Sequence, residues 1–135
     1  MDCIFCKIIN KEIPAKVIFE NDDYLAFLDI EPNTLGHSLV IPKKHVENFA
    51  AQTDEQAAAH MQMVHRIALQ LRSLLASDGF NVAINNGRAA GQLVDHVHWH
   101  IIPRYTSDGL QHFAHSPEAK EKLDEVFKKL DAQIK

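Results

Sequence analysis

Apolar positions along the chain change their period several times, and each change marks an element. A short apolar cluster in "FCKIINKEIP" predicts a helix or turn over about residues 3–10. Two extended runs follow, about 16–20 and 23–29, split by the turn signal Asn21-Asp22-Asp23. "EPNTLGH" is loop, punctuated by Pro32 and Gly36, and "HSLVIP" is a strand of about 37–42 closed by Pro42. The period then lengthens. Ala57, Met61, Val64, Ala68, Leu71 and Leu75 are spaced alternately by four and three, the stripe of an amphipathic helix. Thr53 and Gln56 form a capping box at its start, and Asp54 and Glu55 suit the positive end of the helix dipole. Gly79 marks the expected C-cap region. Alternation returns in "FNVAIN" at 80–85, "NGRAAGQLVD" is a glycine-bearing loop, and 96–103 alternates again. Ser116-Pro117-Glu118 opens a C-terminal helix of about 117–133, with Leu123, Val126, Phe127, Leu130 and Ile134 on one face.

Strands in consecutive runs, with one long helix between the third and fourth, predict an antiparallel α+β sheet rather than repeated βαβ units. A length of 135 residues predicts a single domain over 1–135. With 46% hydrophobic and 24% charged residues the composition is that of a soluble globular chain. A net charge of −4 argues against nucleic acid as a partner. No apolar window is long enough to span a membrane, and the charged start "MDCIFCKIINKEIP" is unlike a signal peptide. The expectation is a cytoplasmic protein whose Cys3 and Cys6 are not part of a disulfide framework.

Candidate chemistry concentrates in "HVHWHIIPR", residues 96–104. On a strand, His96, His98 and His100 share one face and Val97, Trp99 and Ile101 the other. Three basic rings on one face repel one another when charged, so a purely structural role is disfavoured. As a metal site the row is awkward, because its outer pair would lie about 13 Å apart. As a catalytic row it fits better: neutral imidazole is a good nucleophile near neutral pH, and neighbouring rings can donate to an oxyanion. The preceding loop, with Gly87 and Gly91 and the amides Asn85 and Gln92, offers neutral donors for phosphate oxygens. His60 and His65 on the helix, and His112 and His115 in a polar loop, read as solvated or capping residues.

The run His96-Val97-His98-Trp99-His100-Ile101-Ile102 resembles the signature of the histidine triad (HIT) nucleotide-binding hydrolases, closest to the Hint-like and bacterial Hit branch. "FCKIINKEIPAKVIFENDDYLAFLDI", "GHSLVIPKKH" and "NNGRAAGQLVDHVHWHIIPRY" extend the resemblance over about residues 3–105. It implies a HIT-like fold: a five-stranded antiparallel sheet, one long central helix and a C-terminal helix. It also implies a homodimer with a continuous sheet, and hydrolysis of purine nucleoside 5'-phosphoramidates or related nucleotidyl conjugates, releasing AMP or GMP. His98 would be the nucleophile forming a nucleotidyl-histidine intermediate, and His100 and His37 its helpers. Asp29 would bind the ribose, and Ile4, Phe5, Ile8, Phe27 and Ile30 the base. Asn85, Gln92 and the N–H groups of Gly91 and Leu93 would face the phosphate. No cofactor is implied for catalysis.

Two departures from the family pattern bear on substrate. Leu93 stands where the phosphoramidase branch usually has Ser and the dinucleoside polyphosphate branch Thr, so no hydroxyl assists a leaving amine there. The C-terminal amphipathic helix replaces a short aromatic-proline tail. Dinucleoside polyphosphate hydrolysis, a nucleotide-binding adaptor with little turnover, and a metal-dependent hydrolase using the histidine row therefore stand as rivals. Cys3-x-x-Cys6 could be a redox pair, a zinc half-site or two small buried residues. Zinc needs two more ligands, for which His45 and His96 are candidates. Some bacterial-type members of the resembled family carry zinc this way, with a matching C-x-x-C, so the resemblance implies a structural zinc on Cys3, Cys6, His45 and His96.

Overall fold

A computed structural model describes residues 2–135. Its order is α1 (Ile4–Ile9), β1 (Val17–Glu20), β2 (Tyr24–Leu28), β3 (Ser38–Pro42), α2 (Asp54–Leu75), β4 (Gly79–Ile84), β5 (Trp99–Arg104), α3 (Pro117–Glu121) and α4 (Leu123–Leu130). The five strands form one antiparallel sheet in the order β1-β2-β3-β5-β4, so the α+β fold and the five-stranded sheet are as expected. Chain neighbours pair as hairpins except where β5 inserts between β3 and β4. That insertion brings the histidine row beside β3, with Leu39 opposite His100.

Alternation along the central strands separates two apolar layers. Ala26, Val40 and Ile101 face α2, whose Met63, Val64, Ile67, Ala68 and Leu71 pack against them. Leu25, Phe27, Leu39 and Ile41 face the other way, onto Cys3 and Phe5 of the N-terminal segment. The histidines belong to this second face. Helix α2 starts as its sequence requires: Thr53 Oγ1 accepts from the Gln56 N–H at 3.1 Å and Gln56 Oε1 from the Thr53 N–H at 2.9 Å.

Four expectations need correction. Helix α2 ends not near Gly79 but at Ala76, which takes the left-handed conformation at φ 50°, and Gly79 already opens β4. The histidine strand begins at Trp99 rather than 96, because Val97 gives its N–H to Val46 O at 2.7 Å and not to the sheet ladder. The C-terminal helix is broken at Lys122, whose φ −99° and ψ 14° leave the helical region. Finally, His60 is neither solvated nor a cap: it is 0% exposed. It occupies the α2 stripe one turn before Val64. Its Nε2 donates to Val40 O at 2.9 Å and its Nδ1 accepts from the Gln52 amide at 3.2 Å.

Candidate active site and metal centre

Two clusters grow from the N-terminal face of the sheet, one at each end of the triad. The first joins β3, β5 and the loop after β2. The Asn33 N–H donates to His37 Nδ1 at 2.9 Å, so the His37 proton sits on Nε2. That nitrogen lies 2.9 Å from His100 Nδ1 and donates to it. The His100 proton is thereby placed on Nε2, a buried donor without a partner among the described residues. Asp29 sets its Oδ2 3.5 Å from His37 Nε2, and the Glu31 N–H holds its Oδ1 at 2.9 Å.

His98 adjoins this relay, its ring centroid 5.1 Å from that of His100. Its Nδ1–H donates to His96 O at 2.8 Å, which leaves Nε2 as a free lone pair. Phe5 packs edge-on against the ring at 5.1 Å and against Phe27 at 5.5 Å. Burial pulls the pKa of His98 and of His37 below the ordinary histidine value. It pushes His100 down to about 4, with the neighbouring His98 and His37 adding to the effect. All three rings are therefore neutral at pH 7, the form in which one imidazole can attack and another can donate.

The expected base-binding residues divide. Phe5 and Phe27 are buried and Ile8 packs beside them. Ile4 is half-exposed and Ile30 is 89% exposed on its loop. In the loop after β4, Asn85 directly follows Ile84, whose pairing with Trp99 ends the β4–β5 ladder, so it sits at the end of the sheet where the chain of His98 enters β5. Its amide lies beside Gly91, whose φ of +93° makes the turn a glycine position. Gln92 departs from expectation. It is 3% exposed and turned inward, with Nε2 donating to Glu47 O at 2.9 Å and Val94 O at 3.0 Å, and Oε1 accepting from the Gly87 N–H at 2.9 Å. A buried amide with three internal bonds braces the loop and has no donor left for phosphate. The Gly91 N–H is likewise spent on Arg88 O at 3.0 Å, so neither donor faces a ligand. Leu93 stands 84% exposed at the loop's end.

The second cluster joins α1, the chain after β3 and the start of the triad. Cys3 Sγ lies 3.5 Å from His96 Nδ1, Cys6 Sγ 3.4 Å from His45 Nδ1 and 3.6 Å from His96 Nδ1, and the two Nδ1 atoms are 3.1 Å apart. Tetrahedral zinc with bonds of about 2.3 Å to sulfur and 2.0–2.1 Å to nitrogen requires S···N of about 3.5 Å and N···N of about 3.3 Å. The four side chains fit that ion without rearrangement. His96 is presented for it: its Nε2–H donates to Pro42 O at 2.8 Å, which turns the Nδ1 lone pair inward. Burial and the adjacent Cys3 push the Cys6 thiol up to about 11, so the thiolate form needs a cation.

Sequence reasoning missed the main-chain groups that assign these roles, the Asn33 N–H and the carbonyls of Pro42 and His96. No side-chain pattern marks them.

With this geometry in hand, comparison with known proteins is direct. The chain belongs to the HIT domain family, whose pattern its residues 10–107 match. It is 50% identical over 129 residues to an uncharacterized HIT-like protein of Methanocaldococcus jannaschii, covering 95% of this chain and 98% of that one. It is 44% identical over 104 residues to the adenosine 5'-monophosphoramidase of Schizosaccharomyces pombe, covering 77% of this chain and 75% of that one. Among solved structures, a Zn-bound histidine triad family protein from Mycobacterium smegmatis superposes with a TM-score of 0.78 at 39% identity, covering 99% of each chain.

Proposed function

We propose that this chain hydrolyses purine nucleoside 5'-phosphoramidates or related nucleotidyl conjugates through a nucleotidyl-His98 intermediate. The observation that carries the reading is the pair of nitrogens at the centre of the first cluster: a lone pair on His98 Nε2 beside an unpartnered N–H on His100 Nε2. A nucleophile next to an uncommitted donor suits attack on phosphorus, the donor receiving the charge that builds on the phosphoryl oxygen. His98 Nε2 forms a bond to the α-phosphorus, the P–N bond to the leaving amine breaks, and the amine takes up a proton from solvent, balanced by the proton that the attacking water gives up in the second step. Water then attacks the same phosphorus, the P–Nε2 bond breaks, and the nucleoside monophosphate leaves with His98 restored. His37 holds His100 in the donor tautomer. In this reading Asp29 binds the ribose hydroxyls, Phe5, Ile8 and Phe27 the base with Ile4 and Ile30 at its edges, and Asn85 with the Leu93 N–H the phosphate.

Leu93 favours a second reading. With no hydroxyl at that exposed position, leaving groups that depart as anions, such as the second half of a dinucleoside polyphosphate, need less help than amines do.

Structural zinc on Cys3, Cys6, His45 and His96 is part of the proposal. It rests on the fit of the donor set, and the Zn-bound relative supports it. The ion would tie the segment carrying Phe5 to the start of the triad. A homodimer is also proposed, since β4 leaves a sheet edge open to a second copy.

The test is release of AMP from adenosine 5'-phosphoramidate and from diadenosine tetraphosphate, assayed in parallel with His98→Ala. The reading expects a loss of at least about 10³-fold in the variant and an adenylyl adduct on His98 in acid-quenched wild type. Wild type that binds AMP but turns over neither compound would overturn it in favour of a binding protein.

A further inference from the structure

The two thiols of the second cluster sit on one element and its two imidazoles on another. Cys3 is the N-cap of α1 and Cys6 lies in its first turn, with the Cys6 N–H donating to Cys3 Sγ at 3.3 Å. His45 follows β3 and His96 precedes β5, so both belong to the sheet body. Among the described residues, every polar contact between the segment 3–9 and that body is one of these sulfur–imidazole contacts. All four donor atoms lie within 4.8 Å of one another, the two sulfurs included. An N-cap residue and the residue three positions on are one turn apart, inside the Cα span of about 4.4–6.8 Å that a disulfide bridges. Both cysteines are free thiols. Cys6 is half-buried, and Cys3, though buried, lines a cavity of about 590 Å³ with Ile4, His45, Leu93 and Asp95, which gives a small oxidant a path to the sulfur.

We propose that Cys3 and Cys6 are a site of oxidation by hydrogen peroxide, whose disulfide releases α1 from the sheet and so weakens nucleotide binding. With its cation bound, the cluster holds both sulfurs as thiolates, the reactive form. One thiolate attacks an oxygen of the peroxide, an S–O bond forms as the O–O bond breaks, and the departing hydroxide takes a proton to leave as water. The other thiolate then attacks that sulfur. The S–S bond forms, the S–O bond breaks, and a second proton carries the hydroxide off as water. Two thiolates thus lose two electrons to one peroxide, with two protons consumed. The new bond lies wholly within the N-terminal segment, whereas the contacts it replaces all ran from that segment to the body. His45 and His96 alone are two of the four donors that structural zinc takes, so the ion is lost. The consequence falls on affinity rather than on chemistry. Phe5 lies between the two cysteines, and Ile4 and Ile8 share its helix, so freeing α1 loosens the base slot. The triad keeps its place, because the Val97 N–H still donates to Val46 O and His96 Nε2 to Pro42 O.

This inference rests on the zinc reading above, and one experiment separates the two. The purified full chain is treated with hydrogen peroxide, and released zinc, free thiols, intact mass and AMP binding are measured. The chain has 2 cysteines, so the thiol count reports this pair alone. The expected result is loss of the zinc and of both thiols, a mass lower by two hydrogens, and an AMP dissociation constant raised at least about 10-fold. Turnover at saturating substrate should stay within about twofold of the reduced protein, a split that unfolding would not produce. A dithiol reductant with zinc should reverse every change. Purified chain that contains no zinc overturns the metal reading and this inference with it. If zinc is present, thiols that survive peroxide, end as sulfinic acids or join two chains overturn the oxidation site alone. So does AMP affinity unchanged in the disulfide form, or affinity lost only together with the far-UV circular dichroism of the folded chain.

Discussion

Both histidine clusters bring two ring nitrogens to within about 3 Å, yet they are prepared for opposite tasks. Between His37 and His100 the contact is 2.9 Å, and between His45 and His96 it is 3.1 Å. In the first, a main-chain N–H from Asn33 occupies His37 Nδ1 and forces the proton into the gap between the rings. In the second, the Pro42 carbonyl accepts from His96 Nε2 and draws the proton out of the gap. One gap therefore holds N–H···N, a route for a proton. The other holds the His96 Nδ1 lone pair, a His45 ring nitrogen and two sulfurs, a donor set that suits a cation between them. Asp29 beside His37 gives the first cluster a nominal metal-ligand set of its own, but an ion there would need the His37 Nε2 lone pair that the Asn33 amide denies it. The lesson is that the main-chain partner on the far nitrogen, and not the identity or spacing of the histidines, decides between relay and metal nest.

Metal removal probes the difference most severely. Purified protein should contain zinc by elemental analysis, and a strong chelator, or Cys3→Ser with Cys6→Ser, should destabilise it by several kcal/mol, roughly 10 °C or more in Tm. At temperatures where the stripped protein stays folded, AMP release should persist, because no step is assigned to the ion. No zinc and an unmoved Tm would remove the metal nest. Turnover that vanishes on chelation from protein still folded by circular dichroism would return the histidine row to metal chemistry.

The relay should show a smaller effect of a different kind. His37→Ala frees His100 to adopt the other tautomer, and kcat should fall by roughly 10–100-fold with KM nearly constant. Asn33→Pro deletes the N–H that sets the relay and should approach the same loss, whereas Asn33→Ala keeps the amide and should stay within about twofold of wild type. If Asn33→Ala were as damaging as Asn33→Pro, the side chain or the loop, and not the amide, would be what matters.

What the sequence displays of all this follows a physical division. Helix α2 and its capping box could be read because periodicity and caps act locally, and the five strands because each carries its own alternation and turns. The sharing of Cys3, Cys6, His45 and His96 could be anticipated only through family resemblance, since α1, the segment after β3 and the triad meet through topology. Gln92 was misplaced because an amide in a glycine loop serves equally as a phosphate donor or as an internal brace, and only the positions of Glu47 O and Val94 O decide. His96 and His98 fall before β5 because one long-range bond, from the Val97 N–H to Val46 O, outweighs the local alternation. The break at Lys122 and the exposed stripe of α4 lie beyond β5, where the chain's own body does not shape the helix.

His60 is the buried histidine outside both clusters and serves as their control, because both of its nitrogens are already satisfied, by Val40 O and the Gln52 amide. It has no proton to pass and no lone pair to offer, so its charge state should affect stability alone. Burial pushes its pKa down to about 4 from the ordinary value of 6.5. Above pH 6.5 both the folded and the unfolded states hold it neutral and the environment costs nothing. As pH falls below 6.5 the unfolded chain takes up a proton that the folded protein refuses, so stability declines until the folded-state pKa is reached. The loss is on the order of 1 kcal/mol by pH 5.5, a few degrees in Tm. His60→Gln, which retains an amide to donate to Val40 O, should be less stable at pH 7 through imperfect packing, yet its Tm should change less between pH 7 and 5.5 than that of wild type. Equal slopes would shift the acid sensitivity to His100 and His37, and a shallower dependence on pH in His37→Ala would then identify the relay as the source.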